Sequence, residues 1–145
     1  TLCVYMALLP MIYALAYPGS ELNSLDFLAA VIAVLAVVIQ IISDQQMYNF
    51  RKNLREPQTM KSGVWYYSRH PNYFGEILFW FSLFIFALAS NLSFLWLLIG
   101  TLIMYFLIAI ASVSMMDKRS LERRPDFKEY MDSTPAIFIN VFKKG

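Results

Sequence analysis

The chain has 145 residues, 12 Lys and Arg against 10 Asp and Glu, 59% hydrophobic, 17% aromatic and only 15% charged residues, and a mean hydropathy of +0.52. That balance lies outside the range of soluble domains and makes the bilayer the expected solvent. The net charge of +2 is too small to argue for a nucleic-acid partner, and Cys3 stands alone, so no intramolecular disulfide is possible. A single histidine, His70, excludes the histidine-rich di-iron sites of membrane oxygenases, and no cluster of Cys, His and carboxylate ligands suits zinc; no metal is expected. There is no glycine-rich dinucleotide fingerprint, no P-loop and no internal repeat.

Spanning about 30 Å of hydrocarbon takes roughly 20 apolar residues in a helix. The first segment that approaches this runs from Leu2 to Tyr17 and includes Pro10, which neighbouring helices accommodate. It lacks the basic flank and small-residue cleavage site of a signal peptide. With Thr at position 1, the chain reads as the C-terminal part of a longer protein. The second segment, Leu25 to Ile42, carries Asp26 at one edge and Gln40 near the other. Beyond it, Gln40 and Asp44 share a helical face at i and i+4, and Tyr48, Arg51 and Arg55 continue that face. Lys52 and Glu56 are spaced for a further pair, and Pro57 ends the extension. This stretch is either an amphipathic helix that snorkels its cations to lipid phosphates or one whose Asp44 and Arg51 line a cavity. A third segment, Tyr73 to Ala89, holds Glu76 one turn in. The turn Ser90-Asn91 joins it to a fourth, Leu92 to Val113, which is free of charge. The expectation is an all-α, polytopic transmembrane bundle of about four spans, forming one membrane domain over residues 1–145.

The connections that follow the first and third segments carry no Lys or Arg. The cations fall in the middle loop, including Arg51, Lys61 and Arg69, and in the tail, including Arg119, Arg123, Arg124, Lys143 and Lys144. The positive-inside rule puts middle loop and tail in the cytoplasm. The membrane would be the endoplasmic reticulum in a eukaryote and the inner membrane in a bacterium. Some of these cations also serve contact with membrane lipids.

The most informative stretch is Ser62-Gly63-Val64-Trp65-Tyr66-Tyr67-Ser68-Arg69-His70-Pro71-Asn72-Tyr73-Phe74-Gly75-Glu76. It clusters ionisable groups at the mouth of an apolar helix, where they are expensive and mark function by default. Pro71 disfavours helix at His70 and suits the first helical position, so a helix begins there. Its free N–H groups, beside Arg69 and His70, suit a phosphate or carboxylate. Asn72 and Glu76 project from one face, with Tyr73 beside them. Glu76 is either a partner of Arg69 or a partly desolvated acid able to protonate or hydrogen-bond a substrate oxygen. In the tail, Asp117, Arg119, Arg123 and Arg124 precede Pro125, and the run around Tyr130 reads as a short helix broken at Ser133-Thr134-Pro135. The apolar stretch from Ala136 to Phe142 suits a segment folded back onto the membrane surface. Such a lid is either a solvated tail or a clamp for a polyphosphate.

With Asp44-Gln45-Gln46 and Phe50-Arg51-Lys52-Asn53 before it and Leu121-Glu122-Arg123-Arg124-Pro125-Asp126-Phe127-Lys128-Glu129-Tyr130 after it, this signature resembles an uncharacterised membrane-protein family related to the steroid 5-alpha-reductase C-terminal domain. The likeness covers roughly residues 40–142, which would form the catalytic and cofactor region. The wider superfamily includes sterol reductases, enoyl-CoA reductases and isoprenylcysteine carboxyl methyltransferases. The resemblance implies NADPH-dependent reduction of a carbon–carbon double bond in a lipid or steroid-like substrate. Positions Asp44, Arg51, Arg69, His70, Asn72, Asp117, Arg119, Arg123, Arg124 and Tyr130 would hold the cofactor, and Glu76 with Tyr73 would act on the substrate oxygen. The methyltransferase branch would instead bind S-adenosylmethionine, but it usually has a tail rich in acids, whereas this tail is basic. A scaffold that kept the fold and lost the chemistry is a third reading. Asp117 and Gln40 depart from the residues related proteins more often carry at these places. Substrate identity and oligomeric state are not written in the sequence.

Overall fold

The structure, a computed structural model, describes residues 2–19, 21–54 and 56–138. It is all-helical: α1 is Leu2–Ala16, α2 Ser24–Lys52, α3 Pro71–Ser90, α4 Leu98–Phe106, α5 Val113–Arg123 and α6 Phe127–Ser133. A 3-10 turn, Gly63–Tyr66, precedes α3. Another, Leu92–Leu97, leads into α4, and a π-helical stretch, Leu107–Ser112, joins α4 to α5. The run Leu92–Arg123 is therefore one long rod of 32 residues. Among the described residues there is no strand.

Each boundary has a local cause. Asn23 starts α2 with a capping box: its Oδ1 accepts from the Leu25 amide at 2.9 Å, and the Asp26 carboxylate accepts from the Asn23 amide at 3.0 Å. The Asn23 side-chain amide also donates to the Ala89 carbonyl at 2.8 Å, which fixes the start of α2 beside the end of α3 and makes the pair antiparallel. Along that pair Gly75 is needed for close approach. A Cβ there would lie 2.8 Å from the Ala36 carbonyl oxygen. Asn91 ends α3 and caps the following turn by accepting from the Ser93 amide at 2.9 Å. There Phe84, Ala87 and Leu97 form a buried core, against which Leu9, Tyr13 and Phe94 pack.

Three helices are long and apolar enough to cross a membrane: α2, α3 and Leu92–Arg123. These fit an integral membrane protein. The first expected segment is α1, a shorter apolar helix of 15 residues. The helix α2 has 29 residues, about 43 Å, and so continues past the apolar stretch and carries Asp44 and Arg51 beyond it. It stops at Lys52, ahead of Pro57, and the helical pair of Lys52 with Glu56 does not form. Large apolar side chains such as Val31, Leu35 and Ile41 are exposed on α2, as lipid-facing residues are.

Candidate functional site

The signature folds as a sandwich between α2 and the tail. Gly63 takes a positive φ of 62°, which a side chain would resist and which brings its Cα against Gln46. The Gln46 side chain accepts from the Val64 amide at 3.0 Å. The Trp65 indole donates to the Ser43 carbonyl at 3.0 Å, so the turn is pinned to α2. From the other side, the Tyr130 hydroxyl donates to the carbonyls of Trp65 and, at 3.1 Å, Ser68. The Ser68 hydroxyl donates to the carbonyls of Ala136 and Ile137. The amides of Arg69 and His70 donate to Pro135 and Ala136, each at 2.9 Å.

The α3 helix begins at Pro71 with His70 as its N-cap, and the amides of the two residues ahead of it are taken by the tail. The fold-back of the tail is seen at residues 135–137, on the signature itself. Its continuation through Phe142, with Lys143 and Lys144, lies outside the described residues, as does Arg55.

Asp117 organises the charge. One of its oxygens lies 3.0 Å from the Arg69 guanidinium and the other 2.9 Å from His70 Nε2, with side chains only 10% and 11% exposed. Arg69 also donates to the Met131 carbonyl at 3.0 Å. The partner of Arg69 is therefore Asp117, not Glu76. The His70 ring stacks on Tyr73, centroids 5.4 Å apart and planes 13° from parallel.

Around this network lie two adjoining cavities. The inner one, about 180 Å³, is lined by Asp44, Arg51, Arg69, His70, Asn72, Tyr73, Arg124 and Tyr130, together with Thr59, Met60, Trp65, Met116 and Phe127. The outer one, about 620 Å³, shares Arg51 and Arg124 with it and adds Arg119 and Arg123. Among the described residues Arg51, Arg119 and Arg123 have no carboxylate partner. Burial holds the Arg124 guanidinium below its ordinary range, Asp126 opposes this, and the neighbouring cation of Arg51 adds to it. Arg124 lies 5.1 Å above the Phe127 ring and bonds the Ser120 hydroxyl. Burial pushes the Tyr130 phenol up. Burial would raise the Asp126 carboxyl too, but bonds from the Thr59 hydroxyl and amide, with Lys61 nearby, hold it below its usual value.

Two expected site residues stand apart. Asp117 lines neither cavity and acts through Arg69 and His70. Glu76 also lines neither; it is half-buried on α3, one turn deeper than Asn72, without a hydrogen bond or ion pair among the described residues. Those residues contain no group of three or more metal-ligating side chains.

The family described as "Protein of unknown function (DUF1295)" matches residues 1–134. The chain belongs to this family. It is a membrane family related to steroid 5-alpha-reductase. No curated protein and no solved structure matches the chain. Wall residues that sequence reasoning missed are Met47, Thr59, Met60, Met116, Ser120 and Phe127. They are small or apolar and carry no signal of chemistry on their own. Trp65 had a signal, as an indole inside the signature whose N–H needs a partner when buried.

Proposed function

We propose that the paired cavities bind NADPH and that the protein reduces a carbon–carbon double bond of a lipid or steroid-like substrate at the cytoplasmic face of the membrane. The observation that carries this reading is the arginine cleft. Arg51, Arg119, Arg123 and Arg124 converge on one cavity, and among the described residues none of them forms an ion pair with a carboxylate. Four guanidiniums placed together repel one another unless an anion joins them, and their forked donors match phosphate. S-adenosylmethionine carries a sulfonium cation and no phosphate, so this donor set suits it poorly.

Arg51, Arg119, Arg123 and Arg124 would hold the phosphates, while Arg69, His70 and Asn72 line the inner space. When bound, NADPH supplies a hydride. Tyr73, on the inner wall, donates its hydroxyl to a substrate oxygen. Its ring is held by stacking on His70, whose orientation Asp117 fixes. Glu76 lies three residues further along the same helix, outside the walls of both cavities, and would act on that oxygen only through Tyr73.

Mass spectrometry of the nucleotide that copurifies with the full-length protein in mild detergent tests this directly. NADP(H) is expected. S-adenosylmethionine would point to a methyltransferase, and absence of both to a scaffold.

A further inference from the structure

The rod Leu92–Arg123 changes its winding part-way along. Its buried side chains Leu97, Thr101, Met104 and Ile108 recur every three or four residues, and Val113, Asp117 and Ser120 do the same further on. Between Ile108 and Val113 the interval is five. At 3.6 residues per turn, five α-helical steps would carry Val113 about 140° round the rod from Ile108, and Asp117 with it. The π-helical stretch Leu107–Ser112 prevents this, because the Val113 amide donates to the Ile108 carbonyl five residues back and so brings Val113 over Ile108. One wide turn thus joins two working faces. That of α4 packs on α1 and α3, and that of α5 presents Asp117 to Arg69 and His70 at 3.0 and 2.9 Å.

Little holds the wide turn from within. Ile108 is its one buried residue, whereas Leu107, Ile110 and Ala111 are exposed. π winding is rare and occurs mostly as single turns inside α-helices, frequently at functional sites. Here the contacts that impose it lie downstream. Among the described residues α5 packs closely on α6 but not on α2 or α3, and its Met116 and Ser120 line the cavities instead. Asp117 is therefore the main tie between α5 and the start of α3. Were the turn to relax to α, α5 would rotate by one residue, and Ser112, Met116 and Arg119 would take the places of Val113, Asp117 and Ser120.

We propose that the π turn is a rotational switch for α5, with Asp117 as its latch. In the π register Asp117 holds Arg69 and His70; in an all-α register, one residue on, both are released and Arg119 turns toward the place Ser120 now occupies. An anion that pairs with Arg69 in place of Asp117 favours the second register, because it binds one state better than the other. The switch operates whatever larger molecule the cavities take.

The test changes the number of residues in the turn of the full-length protein in detergent. Deletion of Ile110 makes the interval four, which an α-helix spans with Asp117 still facing Arg69, whereas an alanine inserted after Ile110 makes it six. The melting temperature should hold or rise on deletion and fall on insertion. Spin labels then read the rotation: in a Cys3→Ser background, Tyr48→Cys on α2 is paired in turn with Met115→Cys and Lys118→Cys on α5, all at exposed positions. Asp117→Asn should shift these distances, since a turn of one residue moves a point on the helix surface by roughly 8 Å, and should leave them fixed once Ile110 is deleted. An equal shift with and without Ile110, or no shift in a folded Asp117→Asn, overturns the switch. So does a deletion that costs as much as the insertion, the result expected of a plain α-helical rod, and this melting comparison decides alone where Asp117→Asn does not fold.

Discussion

Asp117 and Arg69 form a buried ion pair, with Nη2 and Oδ2 3.0 Å apart, that ties the last apolar rod to the start of α3. Because the same carboxylate holds His70 at 2.9 Å, one side chain on α5 sets the position of a guanidinium and an imidazole beside the cavity.

Asp117→Asn should therefore be strongly destabilising. Removing one partner of a buried pair leaves the other charge uncompensated and typically costs about 3–5 kcal/mol. Thermal unfolding in detergent checks this. A melting temperature equal to that of the parent would mean that Arg69 finds another partner.

Tyr130 bonds two buried carbonyls across the signature. Tyr130→Phe should lower stability by about 1–3 kcal/mol, since both carbonyls lose their donor. The phenol is raised in the folded state by burial, so its contribution is fully present below the unfolded value of about 10 and is lost as pH rises through the folded one. Unfolding measured at pH 8 and pH 11 should show the gap between parent and variant narrowing at the higher pH.

The sign reverses at Asp126, whose carboxyl is held low by Thr59 and Lys61. Its contribution is present above about pH 4 and fades as pH falls through the folded value. Hydrogen exchange at the Thr59 amide should accelerate over that window in the parent. In Asp126→Ala it should be fast throughout, and equal protection in both would refute the bond.

Gly75 should not tolerate a larger side chain. The obstacle is the Ala36 carbonyl oxygen, 2.8 Å from where a Cβ at position 75 would sit, and backbone does not move as a flexible side chain does. Gly75→Leu should cost about 1–3 kcal/mol or more through overpacking, read as a lowered melting temperature, whereas an unchanged value would show that α2 and α3 are free to separate.

Much of this arrangement was legible in the sequence because it rests on local rules. Pro71 at the first helical position, the Asn91 turn and the extension of α2 past the bilayer follow from ring geometry, capping and periodicity. The grouping of Arg51, Arg69, His70, Asn72 and Tyr73 was legible too, because charge at the mouth of an apolar helix needs a reason. What was not legible depends on contacts between distant segments. The sequence offered Glu76 as a partner for Arg69, and nothing local says that Asp117, on another helix, takes that place. Nor does spacing reveal that the carbonyls of Pro135 and Ala136 occupy the amides ahead of α3.

The arginine cleft is the central claim, and equilibrium titration of the full-length protein with NADPH, repeated at low and high salt and with Arg123→Ala, tests it most directly. The account predicts saturable binding that weakens as salt rises, as expected of phosphate held by exposed guanidiniums, and that weakens further in the folded Arg123→Ala variant. Saturable binding of S-adenosylmethionine with none of NADPH, or NADPH affinity indifferent to both salt and Arg123, would contradict it.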